Sequence, residues 1–275
     1  MNYLFSLCFF TISALPGNLF AQPYSDKIPT RETFKIESRQ VSETRTINIW
    51  LPENYKTSSD SFPVLYMPDG GINEDFPHIA NTIEKLIDSN KIKPLILVGI
   101  ENTQRRRDLT GPTSIEKDKE IAPVVGGSEK FRAFISEELI PEINKRYRTS
   151  DKKGIIGESL AGLFVTETLF LTPDLFDFYI AFDPSLWWND QWLLRSADEL
   201  IKKLPEQKKI FWFTASNTVG IFKPSTRLAG ILKKKDPPNL TWKFTPKKKE
   251  KHYTIFRAME VTALTWALTS EFGQP

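Results

Sequence analysis

Apolar and polar residues alternate with a two-residue period only near the start of the chain. Residues 33–41 ("TFKIESRQV") and 44–52 ("TRTINIWLP") put every second side chain on one face, which predicts an antiparallel hairpin. The pattern then changes. "FPVLYMPDGG" at 62–71 is almost continuously apolar and ends in Pro-Asp-Gly-Gly, as expected of a strand covered on both faces that delivers a flexible loop at its carboxyl end. Helical spacing follows in "FPHIANTIEKLIDSN" (76–90), and "KPLILVGIEN" (93–102) is a second buried strand.

Residues 102–126 are polar and irregular and predict a long surface loop. "GSEKFRAFISEELIPEINKRY" (127–147) is amphipathic, with Ser128 placed to cap a helix. Strand and helix patterns then alternate: "KKGIIGES", "LAGLFVTETLFL", "FDFYIAFDPS", "DQWLLRSADELIKKL", "KKIFWFTAS", "STRLAGILKKK", "NLTWKFTP" and a closing helix "YTIFRAMEVTALTWALTSEF". Such alternation predicts an α/β fold, a mostly parallel central sheet with helices on both faces and an antiparallel N-terminal hairpin. Ligands in such sheets bind beyond the carboxyl ends of the strands.

The first 26 residues read differently. "MNYLFSLCFFTISALPGNLFAQPYSD" has an apolar run, Pro16-Gly17, then Ala21 ahead of a polar stretch, the layout of a signal peptide over residues 1–21 followed by a single domain at 22–275. The alternative, an N-terminal membrane anchor, would need an apolar run of about 20 residues, longer than the one present. Cleavage after Ala21 implies a periplasmic or secreted protein and removes Cys8, the sole cysteine. The mature chain then has no disulfide and no thiolate metal site, and its two histidines leave little for zinc. No metal or cofactor is expected.

The formal charge of +3 is too small to imply nucleic-acid binding. Clusters at Arg105-Arg106-Arg107, Lys233-Lys234-Lys235 and Lys247-Lys248-Lys249 with Lys251 are either solvated faces or a positive rim that attracts anionic substrates. Oligomeric state is not readable.

"GIIGESLAGLFV" (154–165) sets Ser159 between a strand pattern and a helix pattern, with Gly157 and Ala161 two residues to either side. A serine at such a sharp corner is a candidate nucleophile, because small flanking residues avoid clashes there. It requires a base. In this topology the base follows the serine with the acid between them, and the sole histidine after Ser159 is His252. His78, upstream, reads as an ordinary helix residue. The acid's commonest place, the loop "SNTVGIFKP" after "KKIFWFTAS", holds no carboxylate. Asp183, at the end of the preceding strand, is the expected acid, with Asp236, Glu250 or a bare Ser-His pair as alternatives. Oxyanion donors are expected from the Leu160 N–H and from Gly70 or Gly71 in the Asp69-Gly70-Gly71 loop.

In order and spacing, "RTINIWLPENY", "FPVLYMPDGG", "LILVGIEN", "GGSEKFRAFISEELIPEINKRYRT", "GIIGESLAGLFV" and "PDLFDFYIAFDPSLWWND" resemble the esterase D and enterochelin-esterase-like branch of the α/β-hydrolases. The resemblance runs from about Thr33 to the closing helix. It implies acyl chemistry with Ser159 as nucleophile, His252 as base and the Asp69–Gly71 loop in the oxyanion hole, and it places Arg107 of "RRRDLT" where that family often has a substrate-contacting arginine. Three positions depart: Glu158 stands where a histidine is usual, Ala161 replaces a glycine, and the usual acid position is empty. Trp187, Trp188 and Trp192 form either an aromatic wall beside the site or part of the core. The function expected is a serine carboxylic-ester hydrolase acting on a small-molecule ester, possible substrates including siderophore-type and other anionic or aromatic esters. The alternatives are an acyltransferase and an exported, non-catalytic binding protein on the same scaffold.

Overall fold

The computed structural model describes residues 26–121 and 124–275. The expected signal segment and Cys8 lie outside the described residues. Among the described residues eight strands form one sheet: β1 (Glu32–Ser38), β2 (Glu43–Trp50), β3 (Phe62–Pro68), β4 (Ile96–Ile100), β5 (Thr149–Glu158), β6 (Phe178–Phe182), β7 (Lys209–Thr214) and β8 (Leu240–Phe244). Their spatial order is β1-β2-β4-β3-β5-β6-β7-β8. β1 and β2 form the hairpin, β2 joins β4 antiparallel, and every later pairing is parallel.

The helices are α1 (Phe76–Asp88), α2 (Arg105–Asp108), α3 (Glu116–Ile121), α4 (Ser128–Ala133), α5 (Ile140–Arg146), α6 (Leu160–Leu171), α7 (Trp188–Ile201), α8 (Phe222–Lys235) and α9 (Ile255–Phe272). The buried side chains divide into two clusters, one per sheet face. Leu163 and Phe164 of α6, Leu193 of α7 and Leu228 of α8 pack with Phe131, Ile143 and one face of the strands. Ile79 and Ile83 of α1 and Met259 and Leu264 of α9 pack on the other. Every residue from Leu160 to Phe170 is buried, so α6 is the central helix of its layer, apolar nearly all round.

Two expectations are refined. The amphipathic stretch 127–147 is helical from Ser128 to Arg146, but Phe134–Leu139 is wound as a π-helix between α4 and α5. Pro141 lacks an amide donor and its ring crowds the carbonyl four residues back, which accounts for the widened turn. The loop expected at 102–126 carries α2 and α3, and Asp108, Leu109, Thr110 and Gly111 within it are buried. No described helix is long and apolar enough to cross a membrane.

Candidate active site

β5 ends at Glu158 and α6 begins at Leu160, which leaves Ser159 alone to turn the chain, at φ 61° and ψ −117°. A non-glycine residue in that region costs roughly 1–3 kcal/mol, so the surroundings must impose it. Ser159 N–H donates to the Phe182 carbonyl at 2.9 Å, while the Ser159 carbonyl accepts from Leu163 N at 2.9 Å and Ser185 N at 3.0 Å. The corner is also crowded. A Cβ on Gly157 would lie 2.7 Å from the Ala161 methyl, so glycine is required opposite Ala161. Gly162, not singled out from the sequence, is needed too: a Cβ there would sit 2.7 Å from the Phe182 carbonyl oxygen.

His252 lies in the turn that leads into α9, and its Nε2 is 3.0 Å from Ser159 Oγ. Its Nδ1 is 2.9 Å from Asp183 Oδ2. Asp183 follows β6, is wholly buried, and has a left-handed φ of 41°. The loop after β7 contributes no acid, as its sequence predicts, but it holds the acid in place. Ser216 N–H donates to Asp183 Oδ1 at 2.5 Å, and Ser216 Oγ donates to Oδ2 at 2.6 Å. Asp183 thus has its charge met by three donors when Nδ1 carries the proton, the arrangement a buried carboxylate needs. The alternative acids lie elsewhere: Asp236 closes α8 in a left-handed turn, and Glu250 accepts from Thr254 Oγ1 at 2.7 Å. The hydrogen bond to Asp183 outweighs burial and raises the His252 pKa above the ordinary 6.5, with the nearby Glu158 adding to the effect.

Of the expected oxyanion donors, the Leu160 N–H opens α6, where helix geometry provides no intrahelical acceptor. Gly70 does not serve. Its N–H donates to the Ile100 carbonyl at 2.9 Å, and a Cβ there would lie 2.2 Å from Ile100 N, so this glycine permits close packing of the chain against β4. Gly71 N–H donates to Glu74 Oε2 at 2.7 Å.

The arginine expected beside the site is held by two carboxylates. Arg107 is engaged by Glu43 at 2.6 and 3.0 Å and by Asp108 at 2.8 Å. Arg105 instead grips Asp69 with two bonds of 2.6 and 2.7 Å and reaches the Glu158 carbonyl at 3.4 Å, so it ties the β3 loop to the Ser159 turn. Trp188 belongs to the core: it is buried and its indole donates to the Gly111 carbonyl at 2.9 Å. Trp187 and Trp192 are half-buried and pack against the same core, Trp187 beside Gly220. The Lys247–Lys251 stretch leads directly into His252, and Lys248 lies over the Phe222 ring. Lys233–Lys235 end α8 just before β8 begins, at the opposite sheet edge, so that cluster is no part of a rim around Ser159.

Glu158 is the most unusual neighbour. Its Oε1 is sealed from solvent without a hydrogen-bond partner, and burial pushes its pKa up to about 8 against the opposing pull of His252. His78, by contrast, is buried in α1 with Nδ1 2.7 Å from Glu260 and Nε2 3.2 Å from Asp75.

The chain matches the model of a family described as "Putative esterase" over residues 38–262. Ferri-bacillibactin esterase BesA of Bacillus subtilis (strain 168) is 32% identical over 191 residues, 63% of this chain and 65% of BesA. A siderophore triacetylfusarinine C esterase of Aspergillus fumigatus is 29% identical over 205 residues, 69% of this chain and 66% of that protein. The chain therefore spans about two thirds of the length of these curated relatives. Among solved structures, an IroE-like serine hydrolase from Shewanella oneidensis superimposes with a TM-score of 0.79 at 27% identity, covering 86% of this chain and 79% of that one. Sheet order, the sharp turn at Ser159 and a family match across most of the chain agree: the protein belongs to the esterase family of the α/β-hydrolase fold.

Proposed function

We propose that the protein is a serine carboxylic-ester hydrolase. The observation that carries this reading is the continuous hydrogen-bond path from Ser159 Oγ through His252 to Asp183, 3.0 Å and then 2.9 Å. Ser159 Oγ attacks the ester carbonyl while its proton passes to His252 Nε2. The resulting alkoxide oxygen is met by the Leu160 N–H. When the carbon–oxygen bond to the alcohol breaks, His252 returns the proton to the departing oxygen, leaving an acyl-serine. Water, deprotonated by the same nitrogen, attacks that acyl group; the bond to Ser159 Oγ breaks, Oγ takes the proton back from His252, and the acid departs. Asp183 fixes the imidazole with its proton on Nδ1 and stabilises the imidazolium as it forms.

For the substrate we propose siderophore-type or other anionic or aromatic esters. The names of the two curated relatives support this, as does the lysine-rich stretch that runs into His252. Export with cleavage after Ala21 is part of the same proposal, and N-terminal sequencing of the mature protein tests it.

The decisive experiment compares wild type and Ser159→Ala on a chromogenic short-chain ester, with fluorophosphonate labelling in parallel. The expected result is a rate loss of several orders of magnitude and a label confined to Ser159. Equal rates in the two proteins would overturn the reading. A panel of siderophore lactones, acylated sugars and aryl esters then ranks the substrates, and added acceptor alcohol separates hydrolysis from acyl transfer.

A further inference from the structure

The loop between β3 and α1 is folded back on itself. Glu74 N–H donates to the Gly71 carbonyl at 3.1 Å and Asp75 N–H to the Asp69 carbonyl at 3.0 Å. Within it the peptide linking Gly70 to Gly71 is clamped at both poles. Asn48 Nδ2, reaching over from β2, donates to the Gly70 carbonyl at 3.0 Å, and the Gly71 N–H points at Glu74 Oε2, 2.7 Å away.

A hydrolase of this topology takes its second oxyanion donor from this loop. Since the Gly70 N–H is committed to Ile100, the Gly71 N–H remains the candidate, and a carboxylate of the chain itself now occupies it. An ionised carboxylate is a stronger acceptor than the neutral carbonyl of a bound ester, so the ground-state substrate does not displace it. A tetrahedral oxyanion carries comparable charge and does. Glu74 also keeps a partner when it lets go, because its Oε1 accepts from Asn102 Nδ2 at 2.7 Å. The space is tight: a Cβ on Gly71 would stand 2.8 Å from Glu74 Oε2, so any larger residue at 71 would expel the carboxylate.

We propose that Glu74 gates the second oxyanion donor, its carboxylate holding the Gly71 N–H in the resting protein and releasing it only to the oxyanion of the reacting ester. This rests on the ester-hydrolase reading above. Glu74 is thus a positioning residue: Asn48 sets the angle of the peptide, and Glu74 decides when its N–H is available.

The test measures kcat and KM on a chromogenic short-chain ester, the inhibition constant of an aryl trifluoromethyl ketone, which forms a tetrahedral adduct with serine, and the melting temperature, for wild type, Glu74→Ala and Glu74→Gln. Release of the donor predicts a kcat increase and a tightening of ketone binding in Glu74→Ala, each roughly tenfold, the scale of one charge-assisted hydrogen bond, with KM little changed. Glu74→Gln, which keeps a weaker neutral acceptor, falls between. Ketone binding that is unchanged or weaker in a variant with unaltered melting would overturn the proposal and leave Glu74 a support of the loop. Should Glu74→Ala fail to fold, the isosteric Glu74→Gln decides by the same criterion. A wild type that hydrolyses ester and takes the fluorophosphonate label, combined with indifferent variants, rejects the gate alone. Equal rates for wild type and Ser159→Ala reject the esterase reading and the gate with it.

Discussion

The two histidines of the chain are both held by carboxylates, yet they are built for opposite ends. His78 has an acid on each ring nitrogen, Glu260 on Nδ1 and Asp75 on Nε2, and lies buried edge-on to Phe256 where α1 meets α9. Burial works against its charge, but the two acids outweigh burial and lift its pKa to about 9. Such a ring is favoured as a cation near neutral pH, with both nitrogens committed to acids. His252 has an acid on one nitrogen and a hydroxyl on the other, and its side chain remains 37% exposed. One nitrogen is oriented while the other is free to exchange a proton. The number of acidic neighbours is what separates the two rings: two for His78, one for His252.

Four measurements test that contrast. Asp183→Asn should lower kcat by roughly 10³–10⁴-fold with little change in melting temperature, because the imidazole loses its orientation and tautomer. A small loss would mean the bare Ser-His pair suffices. Glu260→Ala should do the reverse, removing roughly 3–5 kcal/mol of stability in denaturant titrations by leaving a buried charge half-paired, while kcat stays within a factor of a few. A large fall in kcat with intact stability would erase the distinction between the two rings.

The third concerns stability against pH. The folded-state pKa of His78 is raised from 6.5 to about 9, so its stabilising contribution is complete below pH 6.5 and is lost as pH rises towards 9. A decline on the order of 3 kcal/mol across that window, absent in His78→Gln, is expected from urea titrations at several pH values. The fourth and smallest is kinetic. Since the hydrogen bond from Asp183 raises the His252 pKa, the acid limb of kcat/KM should have its midpoint above 6.5 and move to lower pH in any residual activity of Asp183→Asn.

Much of the site was legible in the chain. Gly157, Ser159 and Ala161 announce a tight corner because the crowding there is local, between residues four apart or fewer. His252 followed from chain order, and Asp183 from its place at a strand end once the loop after β7 proved free of acids. Three other placements depend on partners far along the chain. Arg105 and Arg107 are two apart in a short helix, and which one reaches the Ser159 turn depends on where Asp69 and Glu43 lie, 36 and 64 residues away. Trp188 became core because the segment at 102–126 folds down and offers it the Gly111 carbonyl. Gly70 looked like a donor until β4 took its N–H.

The linear pattern is enough for the layered α/β architecture, the corner at Ser159 and the placing of His252 and Asp183 beyond strand ends, since periodicity, chain order and short-range sterics are properties of neighbours along the polymer. Three-dimensional packing alone settles that Ser216 braces Asp183, that Arg105 bridges two loops, that two carboxylates bracket His78, and that Glu74 sits on the Gly71 amide. Each of these depends on how an acceptor and a donor are oriented in three dimensions, and nothing in the linear pattern fixes the direction of a hydrogen bond.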